Sequence, residues 1–255
     1  MNKNVVLSDL SRICFVDIET VGQKIDIENN PILREFIKKK YKLETESEVT
    51  NESVLLQGGL YPETGKIICI SVGVFNGENF RVKSFYGDEE VDLLKDFVNM
   101  LETNNFSLKY TLCGHNIEGF DIPFIAKRCI LNGIKIPFVL NIMTKKEWDY
   151  NFIDTMKLWA FGDTYNNRIS LKVACEIFGI PTSKSDIDGS QVSQVYYQSL
   201  FTQSIAKPSA KDKQAHEEDL NRIAKYCESD VVATARLFQK ITQNGYLKDE
   251  NILIR

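Results

Sequence analysis

Ile13-Cys14-Phe15-Val16-Asp17-Ile18-Glu19-Thr20 is the stretch on which the reading of this chain turns. Residues 13–18 form an apolar run broken only by Asp17, the pattern of a strand buried on both faces of a sheet. An unpaired carboxylate is costly in such a strand. Asp17 and Glu19 are two residues apart, so their side chains leave the same face near the strand's end, where two acids can share a cation. A solvated strand end is the plainer alternative; the four apolar residues before Asp17 favour a functional pair.

Outward from this strand, Lys66–Phe75 and Asn79–Tyr86 read as a hairpin joined through Asn76-Gly77-Glu78. Asp88 is placed to cap a helix running to about Leu101, with Val91, Leu94, Phe97, Val98 and Leu101 at helical spacing. A short strand is expected over residues 110–113. A polar turn follows, then a helix with Pro123 in its first turn and Asp121 at its entrance. Residues 152–156 predict another strand, and Ser170 caps a helix that runs through Phe178 and stops at Gly179 and Pro181. The last helix is expected from about Asp219 to Gln239, burying Leu220, Ile223, Ala224, Cys227, Val231, Thr234 and Phe238. These elements make an α/β fold with a mixed five-stranded sheet flanked by helices, in one domain spanning residues 1–255. Residues 22–60 read as an insertion and 202–218 as a mobile loop, both flanking the site.

The 255 residues suffice for one large domain, and 43% apolar with 26% charged residues is ordinary globular composition. A net charge of -4 offers no broad basic field, so a nucleic acid would need a local cationic surface and metal ions to hold it. The first apolar run is too short for a signal peptide or a membrane span, which leaves a cytoplasmic protein as the expectation. Six cysteines, with no C-x-x-C pair, read as reduced core residues; two distant histidines, His115 and His216, make no zinc site. Residues 58–67 fail as a phosphate-binding loop, because Ile67 stands where Ser or Thr is required. Lys127, Arg128, Lys145, Lys146, Lys172 and Lys184 are candidates for a strand-binding groove, with solvated surface the preferred reading. A strand-end hydrogen bond accounts for Asp154 and a turn for Asp188.

Asp121 alone would be only a helix cap, and Tyr226 and Asp230, four apart on one helical face, would be unremarkable. Their order carries the weight: DIET, NIEGFD and YCESD follow one another along the chain. With these motifs the chain resembles the DEDD superfamily of 3′-5′ exonucleases, which has a ribonuclease H-like fold, and the resemblance runs from about Ile13 to Phe238. Tyr226, four residues before Asp230, matches the tyrosine (DEDDy) branch. The phrases FVDIET, GHNIEGFDIP, LYPETGKIICISVG and DIDGSQV are most similar to the exonuclease domain of family B DNA polymerases, in its stand-alone bacterial form.

The resemblance implies catalysis by Asp17, Glu19, Asp121, Tyr226 and Asp230 with two divalent cations, Mg²⁺ or Mn²⁺. Asp17 would bridge both ions, Glu19 and Asp230 complete one shell, Asp121 hold the other ion through water, and Tyr226 orient the attacking water. Hard oxygen ligands suit these ions, which stabilise the charge gained by a phosphodiester as it is cleaved. Thr20 and Asn116 would hydrogen-bond the terminal nucleotide, and Phe120 would pack near its base. The implied substrate is the 3′ end of single-stranded nucleic acid, DNA ahead of RNA, in proofreading or repair beside a polymerase or repair partner. An exoribonuclease, a non-catalytic nucleic-acid-binding module of the same fold and a small-molecule phosphohydrolase are the alternatives.

Overall fold

The run from Ile13 becomes an inner strand because both of its faces find apolar partners. The computed structural model describes residues 8–103, 105–146, 150–163, 168–182, 187–201 and 210–254. Strands β1 (Ile13–Gly22), β2 (Gly65–Asn76), β3 (Asn79–Tyr86), β4 (Thr111–Gly114), β5 (Phe152–Asp154) and β6 (Ile252–Ile254) form one sheet in the order β5-β4-β1-β2-β3-β6. The β1–β2–β3 meander is antiparallel, while β4 joins β1, β5 joins β4 and β6 joins β3 in parallel. The sheet is therefore mixed, as expected, but it has six strands rather than five. The three-residue β6 lies at the chain's end, too short to show a period in sequence.

The described helices are α1 (Pro31–Tyr41), α2 (Asn51–Gln57), α3 (Glu90–Glu102), α4 (Asp121–Leu131), α5 (Thr155–Ala160), α6 (Leu171–Phe178), α7 (Val192–Phe201) and α8 (Ala210–Thr242), with a further single turn at Phe106–Lys109. Cys14, Val16 and Ile18 of β1 pack with Leu94 and Phe97 of α3 and Ile122 and Ile125 of α4. On the opposite face Ile13 and Phe15 meet Val231 and Phe238 of α8. Asp17 and Glu19 continue that second file, so strand alternation alone turns them toward α8.

Several boundaries differ from the sequence reading for local reasons. Helix α3 begins at Glu90; Asp88 does not cap it but accepts hydrogen bonds from the Tyr196 hydroxyl at 2.6 Å and from His216 Nε2 at 2.8 Å. Strand β5 stops at Asp154, whose carboxylate accepts from the N–H groups of Met156 and Lys157 and so starts α5. Ser170 caps α6, and Gly179 ends it in the left-handed conformation, as expected. The segment read as a mobile loop is helical over 210–218, where α8 begins; residues 202–209 lie outside the described residues. The 22–60 segment, read as an insertion, is folded. It contains α1 and α2 and has its own small core of Ile27, Ile37, Tyr41, Val49 and Val54. Among the described residues no helix is long and apolar enough to cross a membrane.

Candidate active site

The pairing of β1 with β2 runs Asp17↔Ser71 and Glu19↔Cys69, then slips so that Thr20 faces Ile67. The extra residue is Ile68, so the one-residue bulge lies on β2, opposite Glu19 and Thr20. Gly59 packs against the residue after Glu19: a Cβ there would lie 2.8 Å from the Thr20 carbonyl oxygen. The glycines of residues 58–67 therefore let a 3₁₀ turn approach β1 closely, consistent with their rejection as a phosphate loop.

Helix α8 lies over this end of β1. Cys227 Sγ donates to Asp17 Oδ2 at 3.3 Å and to the Asp17 carbonyl at 3.4 Å. One ligand atom each from Asp17, Glu19 and Cys227 lie within 4.8 Å of one another. The residue before Cys227, Tyr226, hydrogen-bonds through its hydroxyl to Asp230 one turn later. Asp121 comes from the first turn of α4, where its carboxylate meets the backbone N–H groups of Asp121 itself and of Ile18. Asp154 steadies the turn leading to it, accepting from Asn116 N–H at 3.0 Å and Glu118 N–H at 3.3 Å. Three distant segments thus bring Asp17, Glu19, Asp121 and Asp230 into mutual electrostatic contact, with Tyr226 beside them.

Burial dominates the electrostatics. It pushes Asp17 well above the usual carboxylate range, and the charges of Asp230 and Asp121 push it further, while the Cys227 hydrogen bond partly offsets them. Glu19 is also raised well above its ordinary value, by burial and then by Asp17 and Asp230. Asp121 rises to about 7 through burial, with Asp154 adding and the two backbone N–H groups opposing. Asp230 rises to about 6, through burial set against the Tyr226 hydrogen bond. The Tyr226 hydroxyl is raised by burial and by Asp230, and so keeps its proton at neutral pH.

Glu19 is 8% exposed, and among the described residues no hydrogen bond or cation meets its carboxylate. Such a carboxylate, beside three others, fits a site for hard divalent cations, whose charge the protein does not itself supply. Asp17, Glu19, Asp121 and Asp230 are the residues that would hold them.

The three expected nucleotide contacts are occupied within the fold. Thr20 Oγ1 donates to the Gly59 carbonyl at 2.6 Å. Asn116 adopts a left-handed backbone (φ 64°), and its Oδ1 lies 2.4 Å from the point a Cβ on Gly119 would occupy, so its side chain folds over its own turn. Asn116 also borders a cavity of about 540 Å³ with Tyr150, Lys157 and Arg168. Phe120 packs on Phe124 with ring centroids 5.4 Å apart.

A second cavity, of about 470 Å³, opens from Tyr226 and Asp230 and is lined by Ser170, Lys172, Thr182, Asp188 and Gln191. Lys172 is thus the one cation of the suggested groove that borders the acids' cavity, among the described residues. Arg128 is buried in a two-pronged pair with Glu90, Nε to Oε1 at 2.8 Å and Nη2 to Oε2 at 2.5 Å, and is no groove residue. Lys127 pairs with Glu63 at 3.5 Å, Lys145 lies over the Phe138 ring, and Lys184 is outside the described residues. Asp188 caps the turn at Gly189, and His115 bonds to Thr155 and to the Ile169 carbonyl. All six cysteines are free and buried, as expected.

Sequence reasoning passed over Cys227 as a packing residue. Its adjacency to Tyr226, on the stripe that faces the acid-bearing strand, was the available signal. Cys69, opposite Glu19 on β2, had no signal without the register.

No curated protein matches the chain. A family model described as RNase H superfamily matches residues 57–242, a span that contains Asp121, Tyr226 and Asp230 and leaves out β1. With well over half of its length in that match and a mixed sheet flanked by helices beneath it, the chain belongs to the RNase H superfamily.

Proposed function

We propose that the chain is a metal-dependent 3′-5′ exonuclease of the tyrosine branch, removing nucleotides from the 3′ end of single-stranded DNA in proofreading or repair. The observation that carries this reading is the meeting of four carboxylates from β1, α4 and α8 with a protonated tyrosine hydroxyl held at Asp230. A binding module has no use for packed acids that repel phosphate. When bound, two Mg²⁺ or Mn²⁺ ions supply the charge stabilisation that phosphodiester cleavage requires. Asp17, Glu19, Asp121 and Asp230 would hold them, and membership of the RNase H superfamily accords with nucleic-acid hydrolysis.

Tyr226 positions the attacking water by hydrogen bonding, since its buried hydroxyl keeps its proton. The cavity beside Tyr226 and Asp230 receives the terminal nucleotide, with Lys172 toward its phosphate. Thr20 and Asn116 serve the nucleotide through groups left over from their turn contacts, and Phe120 through its ring edge. The ordered motifs DIET, NIEGFD and YCESD, with Tyr226 four residues before Asp230, support the exonuclease class and its kinship with the family B polymerase domain. Six free cysteines accord with a cytoplasmic setting.

The test uses single-stranded DNA and matched RNA, labelled at the 5′ or the 3′ end, with Mg²⁺, Mn²⁺ or a chelator. The expected result is a descending ladder from the 5′-labelled DNA only when metal is present, with RNA shortened more slowly. Retention of oligomers without shortening would instead identify a binding module, and faster RNA digestion an exoribonuclease.

A further inference from the structure

We infer that Cys227 makes the acid cluster a site for a thiophilic divalent cation, such as Co²⁺, Zn²⁺ or Cd²⁺, with its sulfur and the carboxylates of Asp17 and Glu19 as ligands. Two independent observations carry this. Donor atoms of the three residues lie within 4.8 Å of one another, so a small inward movement of the side chains, to the roughly 3.5 Å edge of a tetrahedron, lets one ion contact all three. Glu19, at 8% exposure, also brings into that space a carboxylate with neither hydrogen-bond donor nor cation among the described residues.

The thiol is already aimed at the acids, since Sγ approaches Asp17 Oδ2 at 3.3 Å. Its place is secured from both sides. Cys227 sits on the buried stripe of α8, and Cys69 and Ala224 pack around it, so the sulfur cannot swing away without opening the helix–sheet contact. A hard ion takes carboxylate oxygens and ignores this sulfur, whereas a softer ion gains a thiolate bond. Binding converts Cys-SH and M²⁺ into Cys-S–M⁺ with release of one proton to solvent; no electron moves. The same pocket therefore discriminates cations by softness, and a soft ion occupies it in competition with Mg²⁺ or Mn²⁺.

This inference rests on reading Asp17 and Glu19 as metal ligands, and its test is separable from the nuclease assay. The intact chain is titrated with Co²⁺ and followed by absorbance, in wild type and in Cys227→Ser, with circular dichroism as the folding control. The expected result is a sulfur-to-cobalt charge-transfer band in wild type that Cys227→Ser loses, although five other cysteines remain. Asp17→Ala is expected to weaken the band as well. Absence of the band, or its survival in folded Cys227→Ser, overturns the inference. Metal-dependent digestion without a band would defeat the thiol ligand alone, and a band without digestion would defeat the nuclease reading alone.

Discussion

A carboxylate that is nine-tenths buried with no donor beside it either holds a proton or gains a cation, and Glu19 faces that choice beside Asp17, whose one donor is the Cys227 thiol. Asp17→Asn keeps the shape and removes one negative charge from the cluster. Its exonuclease rate on labelled oligomers is expected to fall by at least about a hundredfold, the scale for losing one electrostatic group from a preorganised site. Tyr226→Phe retains the ring and removes only the hydroxyl held at Asp230. Here kcat is expected to fall on the order of a hundredfold with KM nearly unchanged, as the proposed role of the group on the water, not the strand, requires. An equal rise in KM would instead assign Tyr226 to substrate binding.

At the scale of elements, two buried carboxylates hold the supports of the site. Glu90 accepts from Ile67 N–H, from Arg128 twice and from Asn132, joining β2, α3 and α4 behind the acids. Glu90→Ala leaves the Arg128 guanidinium buried and unpaired, so a loss of about 3–5 kcal/mol is expected in urea unfolding. A loss below about 1 kcal/mol would mean that water reaches Arg128. Asp154 joins the turn before Asp121 to the start of α5 through four backbone N–H groups. Asp154→Ala is expected to cost about 2–3 kcal/mol in unfolding, and to reduce activity because the turn delivering Asp121 loses its anchor.

Over the whole molecule the acids make stability depend on pH and on metal together. Folded and metal-free, Asp121 and Asp230 hold protons up to about 7 and about 6, against an ordinary value of 3.8. Between those limits the folded state binds more protons than the unfolded one, so stability falls as pH rises from about 4 to about 7, and the raised Asp17 and Glu19 act in the same direction. The midpoint of thermal unfolding in chelator is expected to be higher at pH 5 than at pH 8. Mn²⁺ at a hundred times its dissociation constant should restore about 2.7 kcal/mol at pH 8; a metal-independent midpoint would remove the cluster as a cation site. The chain's order of apolar runs was enough to set β1, the hairpin, α4, α6 and most of α8, because each has a period or cap that its own residues write locally. The same holds for Asp17 and Glu19 sharing one strand face, and for Tyr226 and Asp230 sharing one helix face. Only tertiary structure decided that these faces meet, that a bulge on β2 lies opposite Glu19 and Thr20, and that 210–218 extends α8. It also decided that β6 adds a sixth strand and that Cys227 and Cys69 stand beside the acids. Strand register and helix docking depend on partners tens to hundreds of residues away, and no local pattern of polar and apolar residues encodes that distance.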